Sequence, residues 1–292
     1  MRADAAPSSP ARVLIAGVGL LGGAIGLALG SRHPSVYRTG LVRDRTRYEE
    51  ALQAGIVDEL VADPSAADSI DLAVVCTPVD HIVPQLQSIQ TAHPNAVLTD
   101  VGSAKGRIVV GARALANAGR FVAAHPLAGS EQTGWQAATP QLLDDAVCVL
   151  TPTQRTDAAA LATVEAFWRS LGMRTLTTSA GEHDRNLAMS SHLPHLAAAA
   201  LVNAVVGPKA MRATGYRDCT RVAAGDAALW TAIVQQNADP ILAALARLQG
   251  QLAHIQTAIG TEDWEAVSAW LAAAAVERRS LDEDRHATGD MA

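Results

Sequence analysis

The sequence has little of what would place a protein in an oxidising compartment or in a membrane. Its three cysteines, Cys76, Cys148 and Cys219, are far apart and form no CxxC pair, which argues against a zinc or redox motif and favours a reducing cytoplasm. No run of about 18 apolar residues occurs, and the N-terminus MRADAAPSSPAR lacks the basic start and apolar stretch of a signal peptide. We therefore expect a cytoplasmic protein without a membrane span.

Basic charge is also in deficit. The 23 Lys and Arg residues are outnumbered by 29 Asp and Glu residues. This balance gives no general electrostatic reason to expect nucleic acid or an anionic membrane as a partner, so any anion site must be local. What the chain does have is a 49% share of hydrophobic residues over 292 positions, which suits two domains that share a cleft.

Short apolar runs alternate with segments of helix length over the first 178 residues. The runs lie at 13–17, 39–42, 72–76, 96–100, 121–124, 147–150 and 173–177. Because most of these runs are continuously apolar rather than alternating, the pattern predicts an α/β fold with a doubly wound Rossmann-type parallel sheet. After about Ser179 the strand signal disappears, so we expect a nucleotide-binding domain over 1–178 and an all-α domain over 179–292.

One helical segment in the second half carries a narrow apolar stripe. Its members alternate in steps of four and three residues: Ile241, Leu245, Leu248, Leu252, Ile255 and Ile259. Such a narrow stripe is typical of a helix that packs against another helix. Packing within its own domain and a homodimer seam are both open, and we predict a homodimer through the C-terminal helices.

A glycine-rich turn directly follows the first predicted strand and opens a helical run. It places Gly17, Gly19 and Gly22 around Leu20 and Leu21. Glycines in this position permit a tight turn and a close approach to a pyrophosphate, and the helix N-terminus attracts phosphate charge. These five residues are therefore predicted to bind a dinucleotide.

The choice between NAD and NADP depends on the end of the second strand. An acidic side chain there would bind the ribose of NAD, whereas arginine would pair with the phosphate of NADP. The sequence continues from Val42 into Arg43, Asp44 and Arg45. Arginine next to the strand favours NADP, with NAD as the alternative. Thr77, directly after the run at 72–76, completes the predicted cofactor site.

Four further motifs, spread over the chain, identify a family. They are TDVGSAKG at 99–106, HPLAGSEQTG at 125–134, HDRNLAMSSHLPH at 183–195 and DCTRVAAGDAALWTAIVQQN at 218–237. Together, and in this order, they resemble the prephenate/arogenate dehydrogenase family from about Val13 to Asn237. The resemblance implies oxidative decarboxylation of a cyclohexadienol by NAD(P), on the route to tyrosine.

The resemblance implies two catalytic residues. His125 matches the family's catalytic histidine, and a neutral imidazole can accept the proton of the substrate hydroxyl. Ser103 would lie beside the nicotinamide and that hydroxyl. Asp100, Gly102 and Lys105 are expected to build and cap the turn around Ser103, although a catalytic or phosphate contact for Lys105 stays open.

The resemblance also implies a set of substrate-binding residues. They are Ser130, Glu131, His192, His195, Arg217, Arg221 and Trp230. Of these, Arg221 would hold the side-chain carboxylate of the substrate, because a guanidinium fork suits a planar carboxylate. His192 and His195 would share a helix face in SHLPH, which we expect to begin a long helix. A metal at this pair is disfavoured because no third ligand has suitable spacing.

Other functions remain to be weighed. The same scaffold could act on an amino-substituted prephenate in secondary metabolism. A β-hydroxyacid dehydrogenase would want a lysine on the linking helix, where HDRNLAMSSHLPH has none. A dinucleotide sensor without activity could keep the glycine turn, yet would not need His125 and Arg221. The sequence does not distinguish prephenate from arogenate as the substrate. We expect a dehydrogenase without a fused second function.

Overall fold

The computed structural model describes residues 10–129 and 132–287, and the chain forms two compact units that divide between Ile241 and Leu242. The centre of the first unit is an eight-stranded sheet with the order β3-β2-β1-β4-β5-β6-β7-β8. Its strands are β1 (Arg12–Ala16), β2 (Tyr37–Leu41), β3 (Glu59–Val61), β4 (Leu72–Val75), β5 (Val97–Asp100), β6 (Phe121–Pro126), β7 (Val147–Thr151) and β8 (Arg174–Thr177).

Helices alternate with the strands up to β8, and the elements described after β8 are helical. The helices are α1 (Leu20–Arg32), α2 (Glu49–Gln53), α3 (Ile82–Ala92), α4 (Gly106–Gly111), α5 (Ala158–Ser170), α6 (Ala180–Leu187), α7 (Leu193–Ala204), α8 (Thr214–Thr220), α9 (Ala227–Gln236), α10 (Ala238–Gly260) and α11 (Trp264–Ala287). The prediction of a doubly wound sheet followed by helices is confirmed. The predicted domain division at 178 and 179 differs from the division into compact units and stays a prediction.

The centre of the sheet is buried on both faces, as the continuous apolar strands predict, whereas the edge strand β8 is largely exposed. Val13 and Ile15 of β1 face one core, where they pack with α1 and α5, including the fully buried Trp168. Leu14 and Ala16 face the opposite core, which contains side chains of α3 and α4. Successive residues of one strand thus enter two different cores, which is the arrangement of a sheet covered by helices on both sides.

Two features of the sheet differ from the sequence prediction. Strand β3 was missed because it contains only Glu59–Val61, too short a run to stand out. Strand β7 is antiparallel to β6, so the sheet is not parallel throughout. The described part of the β6–β7 connection contains short 3₁₀ turns and no crossover helix, which a parallel pairing would need. Helix α5 then provides a crossover, and β8 runs parallel to β7.

The helical region begins at Ser179, as expected, but the helical segment that contains SHLPH begins before those residues. Ser179 caps α6 by accepting from the N–H of Glu182, whose carboxylate accepts in return from the N–H of Ser179. A π-helical turn, Ala188–His192, joins α6 to α7, and Pro194 lies in the first turn of α7. Helix α7 does begin within SHLPH, at Leu193, but α6 and the π-helical turn precede it without a break, so SHLPH lies inside a longer helical segment. Proline lacks an N–H, and the wide turn before it absorbs the break without ending the helix.

The second unit comprises the remainder of α10 together with α11. The indole N–H of Trp270 donates to Gln251 Oε1 at 2.9 Å, which joins the two helices within this unit. Throughout the described ranges, no helix combines the length and the apolar character that a membrane crossing requires.

Candidate active site

The functional side chains collect at one edge of the sheet. Strands β1, β4, β5 and β6 are mutually parallel neighbours, so their carboxyl ends lie side by side. Gly17 follows β1 and Thr77 lies just beyond β4. Asp100 is the last residue of β5, and His125 is the second-last residue of β6. Ligands of open α/β sheets bind in the crevice at this edge. The topology therefore brings the predicted cofactor and catalytic residues together.

The glycine turn is shaped for close approach of a ligand. Gly17 has φ +93°, a conformation that favours glycine, and its N–H donates to Leu41 O at 3.0 Å. A β-carbon on Gly22 would lie 2.1 Å from Gly17 O, so this glycine permits close packing of α1 under the turn. A β-carbon on Gly19 would meet no atom within 4 Å, so the turn is open to a ligand at that point.

A cavity of about 400 Å³ lies against this turn. Gly17, Gly19, Arg43, Asp44 and Thr77 are among the residues that line it. The Thr77 hydroxyl oxygen is buried and has no hydrogen-bond partner among the residues described, which marks a polar atom that a ligand could satisfy. Open space at the turn and an unpaired hydroxyl in its wall both fit a dinucleotide.

The remaining predicted cofactor residues occupy different places. Leu20 and Leu21 begin α1 with partly buried side chains packed on the core, so they can offer a ligand the N–H groups of the first helical turn. Asp44 accepts from Thr46 N at 3.1 Å and Thr46 Oγ1 at 2.6 Å. Arg45 lines a separate depression with Glu49, and the structure does not bring it to the cofactor cavity.

A buried ion pair lies under the turn that carries Ser103. Lys105 Nζ donates to Asp100 Oδ2 at 2.5 Å and to Ala124 O at 2.7 Å, and neither charged side chain is exposed. Asp100 also accepts from Gly102 N at 2.9 Å and Ala124 N at 3.1 Å. Burial lowers the pKa of Lys105, and Asp100 opposes that shift. The Lys105 side chain therefore links Asp100 at the end of β5 to Ala124 of β6. Ser103, in the same turn, is half-buried.

His125 is the first member of a buried hydrogen-bond chain. Its Nδ1 lies 2.9 Å from His183 Nε2, and His183 Nδ1 lies 2.8 Å from Asp184 Oδ1. Asp184 also accepts from the backbone N–H groups of Lys105 and Gly106, both at 2.7 Å. Sequence reasoning missed His183 and Asp184, although both stand at the start of the quoted HDRNLAMSSHLPH motif. Nε2 of His125 has no hydrogen-bond partner within the part of the chain described.

The surroundings of His125 favour its neutral form. Its pKa lies well below the usual value, first because of burial and then because of the nearby Lys105 charge, with smaller effects from His183 and His192. Asp184 shows the opposite preference. Burial works to raise the pKa of Asp184, but the hydrogen bonds from His183, Lys105 and Gly106 outweigh it and lower the pKa. The site therefore combines a neutral imidazole with an ionised carboxylate.

Trp230 joins the two histidines of SHLPH. Its ring stacks on His195 with centroids 3.5 Å apart and meets His192 edge-on at 6.1 Å. Asn237 Nδ2 lies 3.0 Å from His192 Nδ1 and donates to Asp184 O at 2.8 Å. Burial lowers the pKa of His192 to about 4 and also lowers that of His195. The structure brings His192 and His195 together, as their spacing predicts, and adds Trp230 of α9 to them.

The two predicted substrate arginines are exposed. Arg217 lies in α8 and Arg221 opens the following 3₁₀ turn, which packs against α7. Neither guanidinium forms an ion pair with a residue the structure describes. At Gly225, four residues after Arg221, a β-carbon would lie 2.6 Å from Trp230 Nε1 and 3.0 Å from His195 Cε1. The turn therefore leads directly onto the His195–Trp230 stack.

Ser130 and Glu131 lie outside the described residues.

Comparisons with known proteins agree on one family. A model of the prephenate dehydrogenase nucleotide-binding domain matches residues 25–177, and one of the prephenate dehydrogenase dimerization domain matches residues 179–273. A prephenate dehydrogenase of Bacillus subtilis is 33% identical over 267 residues, which cover 87% of this chain and 71% of that protein. A cyclohexadienyl dehydrogenase of Zymomonas mobilis is 32% identical, with 86% of this chain and 89% of that protein covered.

Solved structures give the same result. Prephenate dehydrogenase from Aquifex aeolicus, in complex with hydroxyphenyl propionate and NAD+, superposes with a TM-score of 0.88 at 28% identity, covering 94% of this chain and 99% of that one. Arogenate dehydrogenase from Synechocystis gives a TM-score of 0.81 at 30% identity, covering 92% and 99%. The resemblance drawn from the four motifs is confirmed: the chain belongs to the prephenate dehydrogenase family.

Proposed function

We propose that this protein catalyses the NAD(P)-dependent oxidative decarboxylation of prephenate or arogenate, giving 4-hydroxyphenylpyruvate or tyrosine. The observation that carries the proposal is the state of His125. Its imidazole is buried at the sheet edge that holds the cofactor cavity, bonded at Nδ1 to His183, and without a partner for Nε2 among the described residues. A neutral imidazole held in this way suits proton acceptance from a substrate hydroxyl.

The proposed reaction balances around that imidazole. A bound nicotinamide would accept the hydride from the ring carbon that bears the hydroxyl. His125 accepts the hydroxyl proton as the C–O bond gains double-bond character. The ring carboxylate leaves as carbon dioxide, and the electron pair of its C–C bond makes the ring aromatic. The imidazolium then returns its proton to the phenolic oxygen, so the histidine is regenerated and no net proton is consumed.

The remaining polar groups are suited to holding the substrate. Arg221, with Arg217 as a second cation, supplies a guanidinium without an ion-pair partner in the described chain for the side-chain carboxylate. The His195–Trp230 stack offers a flat wall for the ring. Ser103 is half-buried in the β5–α4 turn. Strand β5 lies between β4, which leads to Thr77, and β6, which carries His125, and this order supports a role of Ser103 in orienting the hydroxyl.

We infer that NADP is preferred to NAD. Strand β2 ends at Leu41, and both Arg43 and Asp44 line the cavity beyond it. Oδ1 of Asp44 already accepts two hydrogen bonds from Thr46, which reduces its availability to a ribose hydroxyl. Arg43 is exposed and can pair with the ribose phosphate that distinguishes NADP.

We also infer a homodimer formed through the C-terminal helices, and a functional boundary near residue 178. The match of residues 179–273 to a dimerization domain supports both. Within the second unit, large apolar side chains are exposed in the single chain, among them Leu252 at 54% and Ile259 at 51% on the predicted stripe. Exposed apolar stripes on helices pack against a partner.

The function is tested by a kinetic matrix of prephenate and arogenate against NAD and NADP. We expect reduced cofactor and carbon dioxide in equal amounts for at least one pair. His125→Asn should lower kcat by about 10²–10⁴-fold, because it removes the proton acceptor, with little change in circular dichroism or melting temperature. His93→Asn is the control, because His93 bonds Pro64 O elsewhere. No turnover with any pair would contradict the proposal.

The pH dependence follows from the lowered pKa of His125. The neutral imidazole is the base, so activity is lost only when pH falls through that pKa. We expect kcat/KM to be flat between about pH 6.5 and 8 and to decline below 6.5, the ordinary value for histidine. Steady-state rates in a constant-ionic-strength buffer series measure this. An acid limb centred at or above pH 6.5 would refute the assignment.

Cofactor preference is tested at Arg43. Arg43→Ala should raise KM for NADP about tenfold, equivalent to ~1.4 kcal/mol, while KM for NAD changes less than about threefold, because NAD lacks the phosphate. Arg45→Ala is the matched control, since Arg45 lies outside the cavity. Equal effects of Arg43→Ala on both cofactors, or a native preference for NAD, would show that Arg43 does not select NADP.

The dimer is tested by light scattering coupled to gel filtration. The double variant Leu252→Glu/Ile259→Glu places two charges on the exposed stripe and should shift the native dimer to monomer, because charge is costly to bury in an apolar seam. Leu52→Glu, an exposed leucine on α2, is the control and should remain dimeric. A monomeric native protein, or a double variant that stays dimeric, would reject the seam.

A further inference from the structure

We propose that His183 and Asp184 form a positioning pair that holds His125 in the tautomer whose Nε2 carries the lone pair. The inference rests on the proposed function and deepens it. It concerns two residues that the sequence motifs contain but to which sequence reasoning assigned no role. The direct observation is the chain of two ring contacts, His125 Nδ1 to His183 Nε2 at 2.9 Å and His183 Nδ1 to Asp184 Oδ1 at 2.8 Å.

The direction of the hydrogen bonds follows from the carboxylate. An ionised carboxylate can only accept a hydrogen bond, so His183 Nδ1 must carry a proton and donate to Asp184. In the proposed pair His183 is neutral, so its Nε2 holds the lone pair and accepts from His125 Nδ1. That proton leaves His125 with its own lone pair on Nε2, where a substrate hydroxyl can donate.

Asp184 is held in the state that this direction requires. Its two carboxylate oxygens accept from the N–H groups of Lys105 and Gly106, both at 2.7 Å, in addition to His183. A protonated carboxyl would have to give up one of these acceptor positions. The carbonyl of Asp184 also accepts from Asn237 Nδ2 at 2.8 Å, which fixes the residue from the side of the helices. The carboxylate is therefore both ionised and immobile.

The pair also meets a charge requirement of the reaction. When His125 accepts a proton, a cation forms close to Lys105, His183 and His192, all of which disfavour it. Lys105 is already paired with Asp100, and the Cys148 thiol nearby has a raised pKa because of burial. Asp184 is the carboxylate linked to His125 by hydrogen bonds, through His183. It stabilises the transient imidazolium without having to contact it.

The tautomer can be read directly from the native protein. Two-dimensional ¹⁵N NMR of histidine-labelled, cofactor-free enzyme separates protonated from unprotonated ring nitrogens, and His125→Asn identifies the His125 signals by their loss. We expect His125 to be protonated at Nδ1 and unprotonated at Nε2 near pH 7. His183 should show the same pattern. A proton on Nε2 of His125 in the native enzyme would overturn the proposal.

Two substitutions of His183 separate positioning from packing. His183→Leu removes the acceptor, so the tautomer of His125 is no longer fixed and kcat should fall about 100-fold, with KM values within about threefold of native. His183→Gln retains an oxygen that can accept from His125 Nδ1 and should recover about tenfold of that loss. Equal loss in both variants, or a loss in KM alone, would contradict a positioning role.

The control for these variants is His93→Leu, which removes a histidine whose ring bonds the backbone carbonyl of Pro64 instead. It should keep native kcat and the native His125 spectrum. The outcomes also separate this inference from the proposed function. A native spectrum with Nε2 unprotonated, in a protein that turns over neither prephenate nor arogenate, would reject the function and retain the pair. Turnover combined with the opposite tautomer would reject the pair alone.

Discussion

The arrangement of the site depends on one carboxylate, that of Asp184. It accepts hydrogen bonds from two backbone N–H groups at the start of α4 and from the ring of His183, all within 2.8 Å. The first two fix the turn that carries Ser103 at the end of β5. The third fixes the histidine that contacts His125 at the end of β6. A residue on α6 therefore sets the geometry at two neighbouring strand ends.

A second buried charge pair supports this geometry and also affects its electrostatics. Asp100 and Lys105 are both fully buried, and removing one partner of such a pair typically costs about 3–5 kcal/mol because the other charge is left uncompensated. The pair ties the backbone around Gly102 to Ala124, next to His125. Its ammonium group also lowers the pKa of His125. The same lysine thus stabilises the strand ends and favours a neutral imidazole.

Sequence reasoning recovered the features that local patterns encode. Apolar runs predicted seven of the eight strands, and the glycine turn predicted the edge of the sheet where the cofactor cavity lies. Both signals lie within a few consecutive residues, because burial and backbone conformation act locally on residue choice. It missed β3 and the reversed direction of β7, which depend on strand pairing, and the π-helical turn that joins α6 to α7. It also missed the His183–Asp184 pair. The contact between His183 and His125 joins residues 58 positions apart, and no spacing rule reports it.

Proton acceptance at this site requires the Nε2 lone pair of His125 to face the reacting hydroxyl. The most direct measurement is a crystal structure of the complex with oxidised NADP and a product analogue that carries a phenol. We expect the phenolic oxygen at hydrogen-bond distance, about 2.6–3.2 Å, from His125 Nε2, with Nδ1 still bonded to His183. A phenolic oxygen bound elsewhere, or a His125 ring with Nε2 turned into the protein, would contradict it.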